Sequence, residues 1–422
     1  MTLGAHLMEP LLPDKRDALE DMAREVVAQS SALGGQLHRI TQEAVAGLLR
    51  IVNSYYSNLI EGHSTHPVEI ERAMQQEYSR DPAKRELQQE SLAHIACQKK
   101  IDKALGGKPK FSPACREFIC WIHEEVYKEL PEEFKWVTNK EGTERIRVHG
   151  GQLRTREIEV GRHVGPPHET VGLFLDRFEA FYDLSRHHGV TPLIAAAAGH
   201  HRLMWIHPFL DGNGRTARLF TDAYLKQIPL AGYGLWNISR GLARRRDDYM
   251  AALSFADAPR RNDLDGRGTL SREGLIAFCR FFLETCLDQV KYMRGLLDLD
   301  GLRDRIGGYV RLRSEKLIPP PRPGGHPLKV EATHMLVEAL TRGEAPRGDM
   351  IRVSGLAERT GRQVLSQLLE EGLLMSDMPK GPVRLGLPIH FAGYLFQNLY
   401  PGQIEPTLGI GTAEVEDGGL RM

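Results

Sequence analysis

Cysteine is scarce in this chain, an excess of charge of either sign is missing, and long hydrophobic runs are absent. The five cysteines (Cys97, Cys115, Cys120, Cys279, Cys286) are odd in number and include no CxxC pair. That argues against a disulfide scaffold and a zinc site. Spacings of five and seven on expected helices predict buried thiols in a reducing compartment. Lys+Arg is 55 and Asp+Glu is 55, so there is no chain-wide basic footprint for nucleic acid, although a local patch stays open. The longest apolar run, Pro192 to Gly199, falls well short of the roughly 18 residues a membrane helix needs. Met1 to Lys15 lacks a basic stretch leading into an apolar core, so no secretory signal is expected. A cytoplasmic protein with no membrane partner is the expectation.

What is present looks globular: 41% apolar and 26% charged residues, over a length that predicts two or three domains. Apolar periodicity near 3.6 predicts helix from Arg16 to Leu59, split at Gly34-Gly35. A second stretch runs from Asp81 to Leu105 and closes at Gly106, Gly107 and Pro109. Ser112-Pro113 reads as the cap and first residue of a helix reaching Leu130. Between Trp136 and Val160 glycines punctuate short runs, and the alternation over Leu153 to Val160 predicts a β-hairpin. Helices follow at Val171 to His188, Pro192 to Trp205, Asn213 to Lys226, Gly241 to Phe255, Ser271 to Leu297 and Arg303 to Leu317. Pro319 to Gly325 is the clearest linker. Short helices at Glu331 to Leu340, Ser354 to Arg359 and Gln363 to Glu371 lie beyond it, then a Pro379 to Pro382 turn between extended pieces. Gly402 to Met422 reads as a frayed tail.

The chemistry concentrates in twelve residues, His207-Pro-Phe-Leu-Asp211-Gly212-Asn213-Gly214-Arg215-Thr-Ala-Arg218. Gly212 and Gly214 let backbone approach a ligand. The helix starting near Asn213 turns unpaired N–H groups and its positive end toward the loop, a ready anion site. Arg215 and Arg218, three apart, share one helix face and suit a di- or triphosphate. Asp211 is an acid in a cationic site, which a hard cation such as Mg²⁺ explains simply. His207 precedes the loop, where a neutral imidazole could take a proton from an attacking hydroxyl. The pairs His187-His188 and His200-His201 show no HExxH spacing and read as helix-face or core histidines.

This string resembles the Fic family, whose motif HPFx[D/E]GNGRxxR is matched from His207 to Arg218 at every fixed position. The resemblance covers roughly Phe111 to Leu297. It implies a mainly α-helical core with a small β-hairpin flap and transfer of AMP from ATP to a Ser, Thr or Tyr hydroxyl of a protein. By the same resemblance His207 is the base and Asp211 the Mg²⁺ ligand. Gly212, Asn213 and Gly214 form the anion cradle, and Arg215 and Arg218 hold phosphates. The flap would pin the target as an added strand. Many relatives carry Asn where this chain has Arg245, which bears on base specificity.

Ser57-Asn-Leu-Ile-Glu61-Gly62 also resembles the family's inhibitory motif [S/T]xxxE[G/N]. Ser57 and Glu61 are four apart on one helix face, and Gly62 ends the helix. Glu61 would pair with Arg218 and so compete with the γ-phosphate.

From Lys329 to Leu387 the order of helices, turn and hairpin resembles the winged helix appended to many Fic proteins. Arg322 to Pro401 holds 9 Lys+Arg against 8 Asp+Glu, so protein docking or packing is favoured over DNA binding. The expected organisation is 1–110 helical with the inhibitory helix, 111–318 Fic domain, 326–401 winged helix and 402–422 tail. The leading function is a self-inhibited protein adenylyltransferase acting on a protein, with self-modification left open. The alternatives are a nucleotide-sensing transcription regulator or adaptor, another phosphate-containing donor, or removal of AMP. Dimerisation stays open.

Overall fold

The computed structural model describes residues 4–14, 16–106, 112–138, 142–321 and 324–401. The expected tail, Arg322 and Pro323 of the linker, and Gly107 to Phe111 lie outside the described residues. The described chain is mainly α-helical with three small antiparallel sheets. It divides into two compact units, 1–301 with 387–389, and 302–386 with the rest.

The first unit opens with α1 (Asp17–Gly34) and α2 (Arg39–Ile60), parted where the two glycines predict. After α2 the Gly62 to Pro67 segment does more than end a helix. His66 caps α3 (Pro67–Met74) by accepting from the Val68 N–H, with Pro67 in the first turn. Asp81 caps α4 (Pro82–Leu105) in the same way. The expected Ser112-Pro113 start moves: Cys115 Sγ accepts from the Phe118 N–H, and α5 (Arg116–Glu129) begins after it.

Two hairpins follow. One pairs β1 (Trp136–Thr138) with β2 (Arg145–Arg147), the other β3 (Glu159–Val160) with β4 (His163–Val164). Most of the alternating Leu153–Val160 run is irregular. Arg154 turns inward, 2% exposed, and its backbone N–H goes to Pro208 O rather than to a strand.

The core is built on α7 (Thr191–Ile206), reached through α6 (Val171–Tyr182). Leu193 to Ala198 are buried, and four consecutive alanines let neighbours pack closely. Around it lie α8 (Asn213–Gln227), α10 (Arg246–Asp257) and the 25-residue α11 (Arg272–Leu296), while α9 (Ile238–Arg244) packs between α2 and α11. The single helix expected over Gly241 to Phe255 breaks at Arg245 (φ −118°, ψ 40°). All five cysteines are free, and burial pushes the Cys97 and Cys279 thiols up to about 12, so neither is a nucleophile at neutral pH. Among the described residues no helix is long and apolar enough to cross a membrane.

The second unit takes most of α12 (Leu299–Ser314), then α13 (Ala332–Arg342), β5 (Glu344–Ala345), α14 (Arg347–Val353), α15 (Glu358–Glu370), β6 (Leu374–Met375), β7 (Val383–Leu385) and α16 (Ile389–Leu395). The sheet order is β5-β7-β6. Residues 354–357, expected to be helical, form the turn between α14 and α15, because Gly355 takes φ +70° and stops the helix there. Buried Arg313 ties α12 to α15 through a forked pair with Glu371 at 2.8 and 3.0 Å.

Candidate active site

The twelve-residue string spans the end of α7, a tight loop and the start of α8. His207 ends α7 in the left-handed region (φ 48°), an uncommon conformation for a side chain with a Cβ. Arg154 holds it there. Its Nε donates to His207 O at 2.9 Å, and its other nitrogens reach Arg156 O and Pro166 O. His207 Nδ1 lies 3.2 Å from Met204 O, an acceptor, so Nδ1 carries the hydrogen and Nε2 the lone pair. Burial, with His163 nearby, lowers the imidazole to about 4, so it is neutral at physiological pH. His163, on β4, stands 6.1 Å from His207 ring to ring and is fixed by Asp257 (3.0 Å) and Trp205 O (3.0 Å).

The loop is closed by Asn213. Its Oδ1 accepts from the Phe209 N–H (2.9 Å) and its Nδ2 donates to Phe209 O (2.8 Å). The Asn213 side chain therefore shapes the loop and leaves ligand contact to the backbone. Gly212 takes φ +75°, and a Cβ there would meet the Tyr127 ring at 2.8 Å. Under the loop His123 stacks on Phe209 (3.9 Å) and Tyr127 (4.3 Å) and donates from Nε2 to Asp211 O at 3.1 Å. His123 accepts the Gly151 N–H on Nδ1 at 2.8 Å, and burial lowers it to about 3. Sequence reasoning missed Arg154, His123 and Tyr127, because nothing local marks a residue that acts on a loop 50 or more positions away.

Asp211 accepts from Tyr127 Oη at 3.0 Å and lies 3.5 Å from Arg215 Nη2. Burial raises its carboxyl, but Arg215, the Gly212 N–H and Tyr127 outweigh it, so it stays ionised. Its side chain is 44% exposed at the loop mouth. An ionised, partly open carboxylate beside the start of α8 and Arg215 fits a hard cation such as Mg²⁺.

The two arginines meet three acids. Arg218 Nη2 donates to Glu61 Oε1 at 2.5 Å and to Ser57 O at 3.0 Å, and its Nε donates to Ser57 Oγ at 2.9 Å. Burial pushes the Glu61 carboxyl up, and Arg218 with Arg215 more than reverses that, leaving it below the usual range. Glu61 lies against the start of α8, since a Cβ on Gly214 would run into its Oε1. Arg215 Nη1 donates to buried Glu90 at 2.6 Å. All nine residues expected from the sequence thus gather at one place. The doubled histidines go elsewhere: His200 bonds Thr221 and Tyr249, and His201 bonds Leu253 O and Asp257.

Residues 113–225 match the model of the Fic/DOC family. This stretch is a Fic domain. The chain is 26% identical over 246 residues to a protein adenylyltransferase Fic of Culex quinquefasciatus, covering 58% of this chain and 44% of that protein. To its namesake in Drosophila grimshawi it is 38% identical over 86 residues, 20% of this chain and 17% of that one. The chain thus spans less than half the length of these relatives. A Fic-1 segment from C. elegans superposes with a TM-score of 0.50 at 18% identity, covering 65% of this chain and 71% of that one, a likeness of fold. The matched stretch ends within α8 and so contains the loop, the histidine and both arginines, while Glu61 and Glu90 come from before it in the chain.

Proposed function

We propose that this chain is a self-inhibited protein adenylyltransferase. The observation that carries the reading is the pairing of Glu61 with Arg218 at the start of α8, beside a histidine whose lone pair is free to accept a proton. ATP would lay its phosphates along the N-terminal N–H groups of α8 and against Arg215 and Arg218. Asp211 would hold Mg²⁺, which supplies neutralisation of phosphate charge when bound. A hydroxyl oxygen of the target attacks the α-phosphorus, pyrophosphate leaves with the bond to the α-phosphate, and the hydroxyl proton passes to His207 Nε2. The remaining residues position and neutralise rather than react. Arg154 and Asn213 keep His207 and the loop in place. The β3–β4 hairpin, docked beside His207 through His163, offers an edge for the target segment. Glu61 holds the arginine that the γ-phosphate needs, so the resting chain transfers slowly.

We also infer a winged helix in the second unit, from the order helix, strand, helix, helix, strand, strand and the β5-β7-β6 sheet. In the equivalent of a reading helix, α15, Arg362 is paired with Glu358, which favours docking to protein over docking to DNA.

The test is intact-mass spectrometry after incubation with ATP and Mg²⁺, on the chain alone and with cell lysate as acceptor. Glu61→Gly is expected to add AMP groups that the wild type adds slowly. Adding His207→Ala should lower the rate by about 10²-fold or more. Glu61→Gly labelling that survives His207→Ala would remove the assigned base. No AMP on the chain or on any lysate protein, with any variant, would overturn the reading.

A further inference from the structure

Glu90 is a carboxylate the inhibitory motif does not include, and it is 1% exposed. It comes from α4 and touches two elements at once. Arg215 Nη1 donates to its Oε1 at 2.6 Å, and His63 Nδ1 lies 3.0 and 2.8 Å from Oε1 and Oε2. His63 is two residues past Glu61. Between them Gly62 takes φ +88°, and the His63 N–H returns to Asn58 O at 3.0 Å, so the turn that ends α2 delivers Glu61 and His63 to neighbouring places. Glu61 then reaches Arg218 while His63 reaches the partner of Arg215.

We propose that His63 and Glu90 form a clasp that fastens the end of α2 to the Arg215 side of the phosphate site and thereby keeps Glu61 on Arg218. This rests on the adenylyltransferase reading and deepens its regulation. Both are positioning residues: neither needs to touch the nucleotide to act. The clasp suits the task because Glu90 is buried and already committed to Arg215, a fixed point, whereas His63 is a third exposed and can leave. Charge supports it too. Glu61, Glu90 and Asp211 are three acids facing two guanidiniums, and a cation at His63 is the missing counter-charge.

The groups facing His63 are Glu90 from α4, Glu61 from α2 and Arg215 from α8, with the Phe134 ring 5.4 Å away. The bond to Glu90 outweighs burial and raises its pKa. His63 is therefore charged, and the clasp closed, below that raised value, and the clasp loosens as pH rises through it. The proposed base cannot mimic this signal, because burial lowers His207 to about 4 and so keeps it neutral throughout pH 6 to 8.

Calorimetric binding of ATP·Mg²⁺ to the full chain at pH 6 and pH 8 tests it on wild type, Glu61→Gly, His63→Ala and the double variant. His63→Ala is expected to bind ATP several-fold more tightly than wild type and to add nothing on top of Glu61→Gly. Wild type should gain affinity from pH 6 to pH 8 by more than His63→Ala does. His63→Ala binding like wild type while Glu61→Gly binds more tightly would overturn the clasp and leave the brake standing. An equal gain from His63→Ala in both backgrounds would also overturn it, placing His63 in the pocket rather than on the brake. No gain from Glu61→Gly would bring down the brake and the clasp together.

Discussion

At the scale of single residues, the site is set by which atom carries a proton. His207 gives its Nδ1 hydrogen to Met204 O and keeps Nε2 bare, and burial lowers it to about 4. A base works deprotonated, so nothing between pH 6 and pH 8 should switch it on or off. In the Glu61→Gly variant, where the clasp no longer matters, AMP transfer measured at saturating ATP is expected to be flat over that range. A slope of one proton in that variant would mean that His207 titrates near neutrality and is not held dry in the working site. This residue was legible in the sequence because its motif is local. The residues that hold it were not. Arg154 and His123 look like ordinary loop and helix positions until the chain folds Arg154 onto the His207 turn and stacks His123 under Phe209.

At the scale of elements, α2 is core along its length and the proposed brake at its end. Val45, Leu48, Val52, Tyr56 and Ile60 are buried, which anchors the helix independently of anything at its end. Only the last turn and Glu61 meet Arg218, one of the two arginines proposed to hold phosphate. Ser57 contributes a specific part of that meeting, accepting from Arg218 Nε at 2.9 Å. Ser57→Ala removes this acceptor and leaves Glu61 in place, so its ATP affinity is expected to fall between those of wild type and Glu61→Gly. Calorimetry under the same conditions measures it, and affinity equal to wild type would show that the serine is only packed. The α2 span and its end at Gly62 were readable from period and glycine placement. The Leu153 to Val160 strand was misread for a physical reason. Alternation marks a strand only when alternate residues face a sheet, and here the inward residue is an arginine holding another loop. The α14–α15 turn was misplaced because the residues on both sides of Gly355 have helical composition, and only the fold shows that Gly355 takes the left-handed conformation that stops α14.

At the scale of the whole molecule, the buried histidines couple stability to pH. Burial lowers His94, His123 and His200 to about 3 and His207 to about 4, all in the first unit. An unfolded histidine titrates near 6.5, so below that pH the unfolded chain binds protons the folded one refuses. Stability should therefore fall as pH drops from about 7 toward 5, by more than one proton's worth of slope. His63, raised rather than lowered, opposes this in part. Urea denaturation midpoints across that range are the measurement, and a flat profile would mean these rings are accessible to protons in the fold. Stability of this kind could not be read from the sequence, which shows seventeen histidines but not which are dry.

Where α2 meets α8, backbone charge adds to side-chain charge. The carboxyl end of one helix faces the amino end of the other, and peptide dipoles place partial negative charge at the first and partial positive charge at the second. Arg218 and Arg246 also bind the main-chain oxygens of Ser57 and Ile60. These attractions belong to the backbone and survive any change of side chain at position 61. On the proposed reading, deleting the glutamate would lower the latch without opening the door fully, because a helix end would still lean on the seat proposed for phosphate.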